Sequence, residues 1–154
     1  MAAPEVDGCI RTVATAIDKF EHIPGFQKMI DQLFKNCSKC KSTRNVKGAC
    51  NELRVALILQ EEGHVIQEFG LMIGNIEYDI VTATHIIECK NLYWDYCKTD
   101  MTMLNKLVDQ AATGVQKSQE LGKKYVWITK KDIPSEISWF RDALLNTGAE
   151  IMEG

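Results

Sequence analysis

The chain of 154 residues is 45% hydrophobic and 25% charged, the proportions of an ordinary globular protein long enough to bury the core of one domain. No apolar run nears the about 18–20 residues of a membrane-spanning helix, which argues against a helical membrane protein. A net charge of −3 excludes a strong charge-driven grip on nucleic acid over the whole surface, so local charge must decide.

Gly8–Phe20 and Gly25–Asn36 read as two amphipathic helices separated at Pro24, with His22 in the turn between them. In the second, Phe26, Met29, Ile30, Leu33 and Phe34 recur at helical spacing. Lys35, Lys39, Lys41, Arg44 and Lys47 follow with no acidic residue among them. That stretch is either a track for a phosphate backbone or a solvated basic loop. Of six cysteines, Cys37 and Cys40 form a CxxC pair with Cys50 downstream. A zinc knuckle built on them needs a fourth ligand such as Cys9, His22 or Cys97. With one CxxC pair and Cys50 inside a predicted helix, structural zinc is not expected. Nothing in the cysteine usage demands an oxidising compartment.

Val46–Glu62 reads as a third helix, closed by Gly63. Leu53, Ala56, Leu57 and Leu59 make it apolar, and Glu52 projects close to the buried side. A carboxylate there either answers the helix dipole or has a partner such as a metal or a lysine. His64–Leu71 is the first strand, and Ile73-Gly74-Asn75 turns into the second, Ile76–Val81. Alternation puts Tyr78 and Ile80 on one face and Glu77, Asp79 and Val81 on the other. After Thr82–Thr84, His85–Lys90 reads as a third strand with Ile86, Glu88 and Lys90 pointing one way. In an antiparallel hairpin Asp79 and Glu88 converge with Lys90 beside them. That is a site for a hard divalent cation and an anionic substrate, or else a strand face with an ordinary ion pair.

Tyr93 and Trp94 come next, to stack on a base or to pack at the sheet end. Thr102–Leu121 is a crossover helix with Leu104, Leu107, Val108, Ala111 and Val115 as its buried stripe, flanked by Gln110 and Gln116. Lys123–Thr129 is a buried fourth strand, Pro134 starts a last helix, and Ala149–Met152 adds an edge strand. There is no internal repeat or long linker.

Asp79, a short gap, then Glu88-x-Lys90 closing a hydrophobic strand resembles the PD-(D/E)XK nuclease superfamily. The stretch IIECKNLYW resembles most the nuclease domains of bacterial polymorphic and contact-dependent toxins. The resemblance covers roughly Val46 to Thr129, and Tyr78 stands where many members carry a proline. It implies an α/β fold of the restriction-endonuclease-like type: an αβββαβ core over residues 46–129, a mixed and mainly antiparallel sheet flanked by helices, a helical cap over 1–45, and a carboxy-terminal helix and strand over 130–154. It implies that Asp79 and Glu88 hold Mg²⁺ or Mn²⁺, joined by Glu52 and the Cys89 main-chain carbonyl, with the Glu52, Asp79, Glu88 and Lys90 side chains in one cleft. Lys90 then serves the attacking water and Gln110 positions water or phosphate. Lys39, Lys41, Arg44 and Lys47 are the candidate nucleic-acid contacts.

The activity so implied is metal-dependent hydrolysis of DNA or RNA, tRNA included. It would be exerted in a cytoplasm or nucleus after secretion or delivery, and held in check by an immunity or inhibitor protein. The amino-terminal MAAPEVDG lacks a signal-peptide pattern, and a toxin of this kind can travel as part of a longer protein. The rival readings are a non-catalytic binding module that pairs Asp79 with Lys90 for structure, and a regulatory protein whose basic loop binds a partner.

Overall fold

A computed structural model describes the backbone over residues 3–38 and 43–153 and the side chains over residues 8–35 and 46–153. The chain has the α/β class expected, divided into two compact units, residues 1–83 and 84–154. The boundary falls inside the 46–129 stretch, between the strand that carries Asp79 and the strand that carries Glu88.

The first unit holds helices α1 (Ala3–Phe20), α2 (Phe26–Ser38) and α3 (Thr43–Glu61), then strands β1 (Ile66–Ile73) and β2 (Ile76–Thr82). Both α1 and α2 pack on α3, and α2 also packs on β1. Phe20, Phe26 and Phe69 are each buried, with ring centroids 5.4–6.2 Å apart, so the two leading helices share one core with the first strand. Gly25 makes this approach feasible. Its φ is +84°, and a Cβ there would fall on the Phe69 carbonyl oxygen. The Phe69 N–H donates to the Pro24 carbonyl at 2.9 Å across the same contact. Cys9 on α1 and Cys50 on α3 are joined by a disulfide, with Cα atoms 5.7 Å apart.

β1 and β2 form an antiparallel hairpin through the two-residue turn Gly74-Asn75, where Gly74 has φ +62°. Phe69 pairs with Ile80 and Leu71 with Tyr78, so Asp79 lies opposite Gly70. The register slips between Ile66 and Glu68, a bulge at the start of β1. Gly63 ends the preceding helix at φ +93°, as the sequence leads one to expect.

The second unit comprises β3 (His85–Lys90), a short helix α4 (Trp94–Cys97), α5 (Met101–Glu120), β4 (Lys124–Thr129), α6 (Ser138–Asn146) after a 3-10 turn at Ser135–Ile137, and β5 (Glu150–Glu153). The order helix, three strands, helix, strand holds from α3 to β4, with α4 interposed. Strand pairing is mixed, as expected, with a larger parallel share than expected: β1 pairs with β2 antiparallel, whereas β3 pairs with β4 in parallel, and β4 with β5 in parallel. The intervening helices α5 and α6 supply the long crossovers that parallel neighbours need. Ile86 and Ile87 are both buried, so β3 is covered on both faces before its polar end.

α5 starts where Asp100 accepts a hydrogen bond from the Met103 N–H at 3.0 Å. Its buried stripe runs Leu104, Leu107, Ala111, Gly114, Val115, Ser118, with Val108 only half-buried at its margin. Gly114 lets Tyr125 of β4 come close: a Cβ would sit 2.5 Å from the tyrosine ring. Trp94, Trp127 and Phe140 gather in the remaining core, with the Phe140 ring 5.9–6.0 Å from each tryptophan.

β5 is tied back by Glu153, whose carboxylate accepts from Arg141 Nε at 2.7 Å and from the Ile133 N–H at 2.9 Å. Burial pushes its pKa up, but the Arg141 and Ile133 hydrogen bonds and the arginine charge outweigh this and hold it below the usual carboxylate value. A depressed folded-state pKa contributes stability above the unfolded-state value near 4.3, and this is lost as pH falls through the folded-state value. Glu153→Gln is therefore expected to lower the melting temperature at pH 7 and to leave it nearly unchanged at about pH 2. Thermal melts of both proteins across that range check it; an equal loss at both pH values would show that the charge contributes nothing.

Candidate functional site

β3 delivers Glu88 and Lys90 two residues apart, and strand alternation turns both to one side. Lys90 Nζ lies 3.8 Å from Glu88 Oε2, with the side chains 24% and 13% exposed. In the parallel register Glu88 stands beside Trp127 and Lys90 beside Thr129. An indole neighbour lowers the local dielectric around the carboxylate, which strengthens its attraction for any cation. The Lys90 carbonyl accepts from the Lys130 N–H at 3.1 Å, which fixes the strand end that carries the ammonium. The pair occupies the carboxyl end of a parallel strand, the edge at which open α/β sheets hold ligands.

Asp79 is half-buried on β2 between the buried Tyr78 and Ile80, and Glu52 is half-buried on α3, a helix that packs against β2. These two carboxylates belong to the first unit, and the Glu88–Lys90 pair to the second. Lys90 is ion-paired to Glu88, its neighbour on the same strand. Gln110 and Gln116 are both exposed on α5. Cys89 is half-buried.

Lys47 is exposed on α3, whereas Lys39, Lys41 and the Arg44 side chain lie outside the described residues. The basic stretch is part helical, because α2 runs to Ser38 and α3 begins at Thr43.

The zinc expectations are altered by the disulfide. Cys9 and Cys50 are bonded to each other, so neither sulfur is a thiolate for a knuckle, and the side chains of Cys37 and Cys40 lie outside the described residues. Cys97 is buried on α4 and His22 is exposed in the turn after α1. Among the described residues, no group of three or more His, Cys, Asp and Glu side chains is arranged to hold a metal ion. No helix among them is long and apolar enough to cross a membrane.

The sequence pairing of Tyr93 with Trp94 is resolved into two roles. Trp94 is buried, with its indole N–H donating to the Lys131 carbonyl at 3.2 Å. Tyr93 is 59% exposed and keeps company with Tyr96, which sequence reading passed over. Tyr96 was detectable in principle, since a residue three on from Tyr93 in a helical turn comes back to the same side.

Comparison of the chain with protein-family models, with curated proteins and with solved structures finds no match to any of them.

Proposed function

We propose that this chain is a metal-dependent nuclease with a restriction-endonuclease-like core, hydrolysing phosphodiester bonds in DNA or RNA. The observation that carries this reading is the Glu88–Lys90 pair, a carboxylate and an ammonium 3.8 Å apart on one rigid strand. The order of elements from α3 to β4 and the position of Asp79 on the preceding strand support it.

The donors are hard carboxylate oxygens, which suit Mg²⁺ or Mn²⁺, ions that take one or two carboxylates and keep several waters. Glu88 would hold the ion, and Asp79 and Glu52 are the further carboxylates in this reading. When bound, such an ion supplies charge neutralisation at the phosphate and a water of lowered pKa. Lys90 offsets the negative charge that builds on the phosphoryl oxygens and holds the nucleophilic water through its ammonium protons. Trp127 excludes bulk solvent beside Glu88. The Cys9–Cys50 bond supports passage through an oxidising environment, as for a delivered effector.

Incubating the protein with plasmid, single-stranded DNA and total tRNA, with Mg²⁺ or with chelator, tests the proposal. Metal-dependent cleavage of one of them is the expected result, and none with any substrate or divalent ion would overturn it. The ion pair also favours a second reading, a non-catalytic module in which Glu88 and Lys90 neutralise each other for structure.

A further inference from the structure

Just past the Lys90 end of β3, the chain builds an exposed aromatic step. Tyr93 and Tyr96 are 59% and 77% exposed, with ring centroids 5.4 Å apart and planes inclined by 34°. Lys131 Nζ lies 5.1 Å from the centroid of the Tyr93 ring, within cation–π range. That lysine is not loosely placed. Its carbonyl accepts from Thr129 Oγ1 at 2.8 Å and from the Trp94 indole at 3.2 Å, so a buried residue of α4 and the end of β4 fix its backbone together.

Three of the carboxylates in this segment are already engaged. Lys98 engages Asp95 at 4.0 Å and Glu136 at 3.0 Å, and Asp100 caps α5. Among the described residues, no carboxylate lies within 4.0 Å of Lys130 or Lys131, and Asp132 follows them in the chain. Two water-facing tyrosines cost solvation and stabilise no core, whereas Trp94 between them is packed inside. A largely exposed Tyr96 ring beside ammonium groups that no carboxylate neutralises is the combination that binds unpaired bases through stacking and the backbone through charge.

We infer that the Tyr93–Tyr96 step with Lys131 is a stacking platform for single-stranded nucleic acid, delivering unpaired nucleotides to the Glu88–Lys90 end of the sheet. The inference rests on the nuclease reading for what happens to the strand, but not for its binding. Bases in a duplex are stacked on one another and cannot lie on Tyr96, so the platform selects single strands, loops and frayed ends.

The test measures binding of the full chain, in chelator, to labelled 12-nucleotide oligothymidylate, oligouridylate and a blunt duplex by fluorescence anisotropy. Single strands are expected to bind more tightly than the duplex, and the two homopolymers report whether DNA or RNA is preferred. Tyr96→Ala is expected to weaken single-strand binding by roughly 5- to 100-fold, and Tyr96→Phe to restore it, because the ring and not the hydroxyl does the stacking. Lys131→Gln should reduce the salt dependence by about one phosphate contact. Equal affinity for duplex and single strand, or a Tyr93→Ala/Tyr96→Ala variant that binds as wild type, would overturn the platform. Cleavage with Mg²⁺ is followed in parallel. A protein that binds single strands through Tyr96 but cuts nothing keeps the platform and loses the nuclease; one that cuts them equally well without both tyrosines keeps the nuclease and loses the platform.

Discussion

On the nuclease reading, replacing Glu88 by Ala is expected to lower cleavage by a factor on the order of 10² to 10³, and Lys90→Ala by a similar factor, since each would remove charge stabilisation from the phosphoryl transition state. The two differ in what else they lose. On that reading Glu88→Ala removes a metal ligand and should markedly weaken Mn²⁺ binding, whereas Lys90→Ala leaves the carboxylate in place. Folding should survive both, because Lys90 and Glu88 keep 24% and 13% of their side-chain surface in contact with solvent. The opposite pattern belongs to the structural ion pair. Breaking it would strand a half-buried charge at a cost approaching the about 3–5 kcal/mol of a fully buried pair, with no metal dependence to lose. Thermal melts of wild type and both variants, with and without Mn²⁺, separate these outcomes. A wild-type melt indifferent to metal, with two unstable variants, would sink the enzyme reading.

Reduction of the Cys9–Cys50 bond, or Cys9→Ser, is expected to destabilise the first unit by about 4 kcal/mol. The bond closes a sequence separation of 41 residues, and the unfolded chain regains that loop freedom when it is cut. Far-UV circular dichroism follows the helices that the bond ties together. Trp94, Trp127 and Trp139 all lie in the second unit, so their emission reports how much of the loss reaches it. Urea titrations with and without reductant give the difference directly. Coincident curves would mean that α1 is held to α3 by packing alone.

Local features of this fold were legible because the residues that decide them are neighbours in sequence. Phe26, Ile30 and Leu33 announce the buried face of α2, Gly63 the end of α3, Gly74-Asn75 the hairpin turn, and Tyr78 with Ile80 the core face of β2. Alternation worked less well on β3, since Ile86 and Ile87 are both buried and a strand covered on two sides has no polar face to announce it. Strand direction in the second unit was not legible either. Whether β4 runs with β3 depends on a crossover of more than thirty residues, and no turn signal encodes it. The pairing of Cys9 with Cys50 is likewise a property of how α1 packs on α3, which periodicity cannot rank against Cys37 or Cys40. Of the candidate site, Glu88 and Lys90 follow from strand spacing alone. The placing of Lys131 over Tyr93 does not, because it depends on hydrogen bonds that Lys131 makes to Trp94 and Thr129.

The contrast between the two units in how their strands meet also sets the order in which they can form. β1 and β2 are joined by two residues, so their ladder can zip from Ile73 and Ile76 outward within microseconds, the timescale of an isolated hairpin. β3 has no such neighbour within its own unit. Its first hydrogen-bonded partner there, β4, arrives only after α4 and α5 have been laid down, and the loop entropy of that span must be met before any contact repays it. During synthesis the pairing of Ile86 and Ile87 with Tyr125 and Val126 therefore waits until β4 has emerged. Until then the charged pair that ends β3 limits unwanted edge pairing on the side that β4 will take.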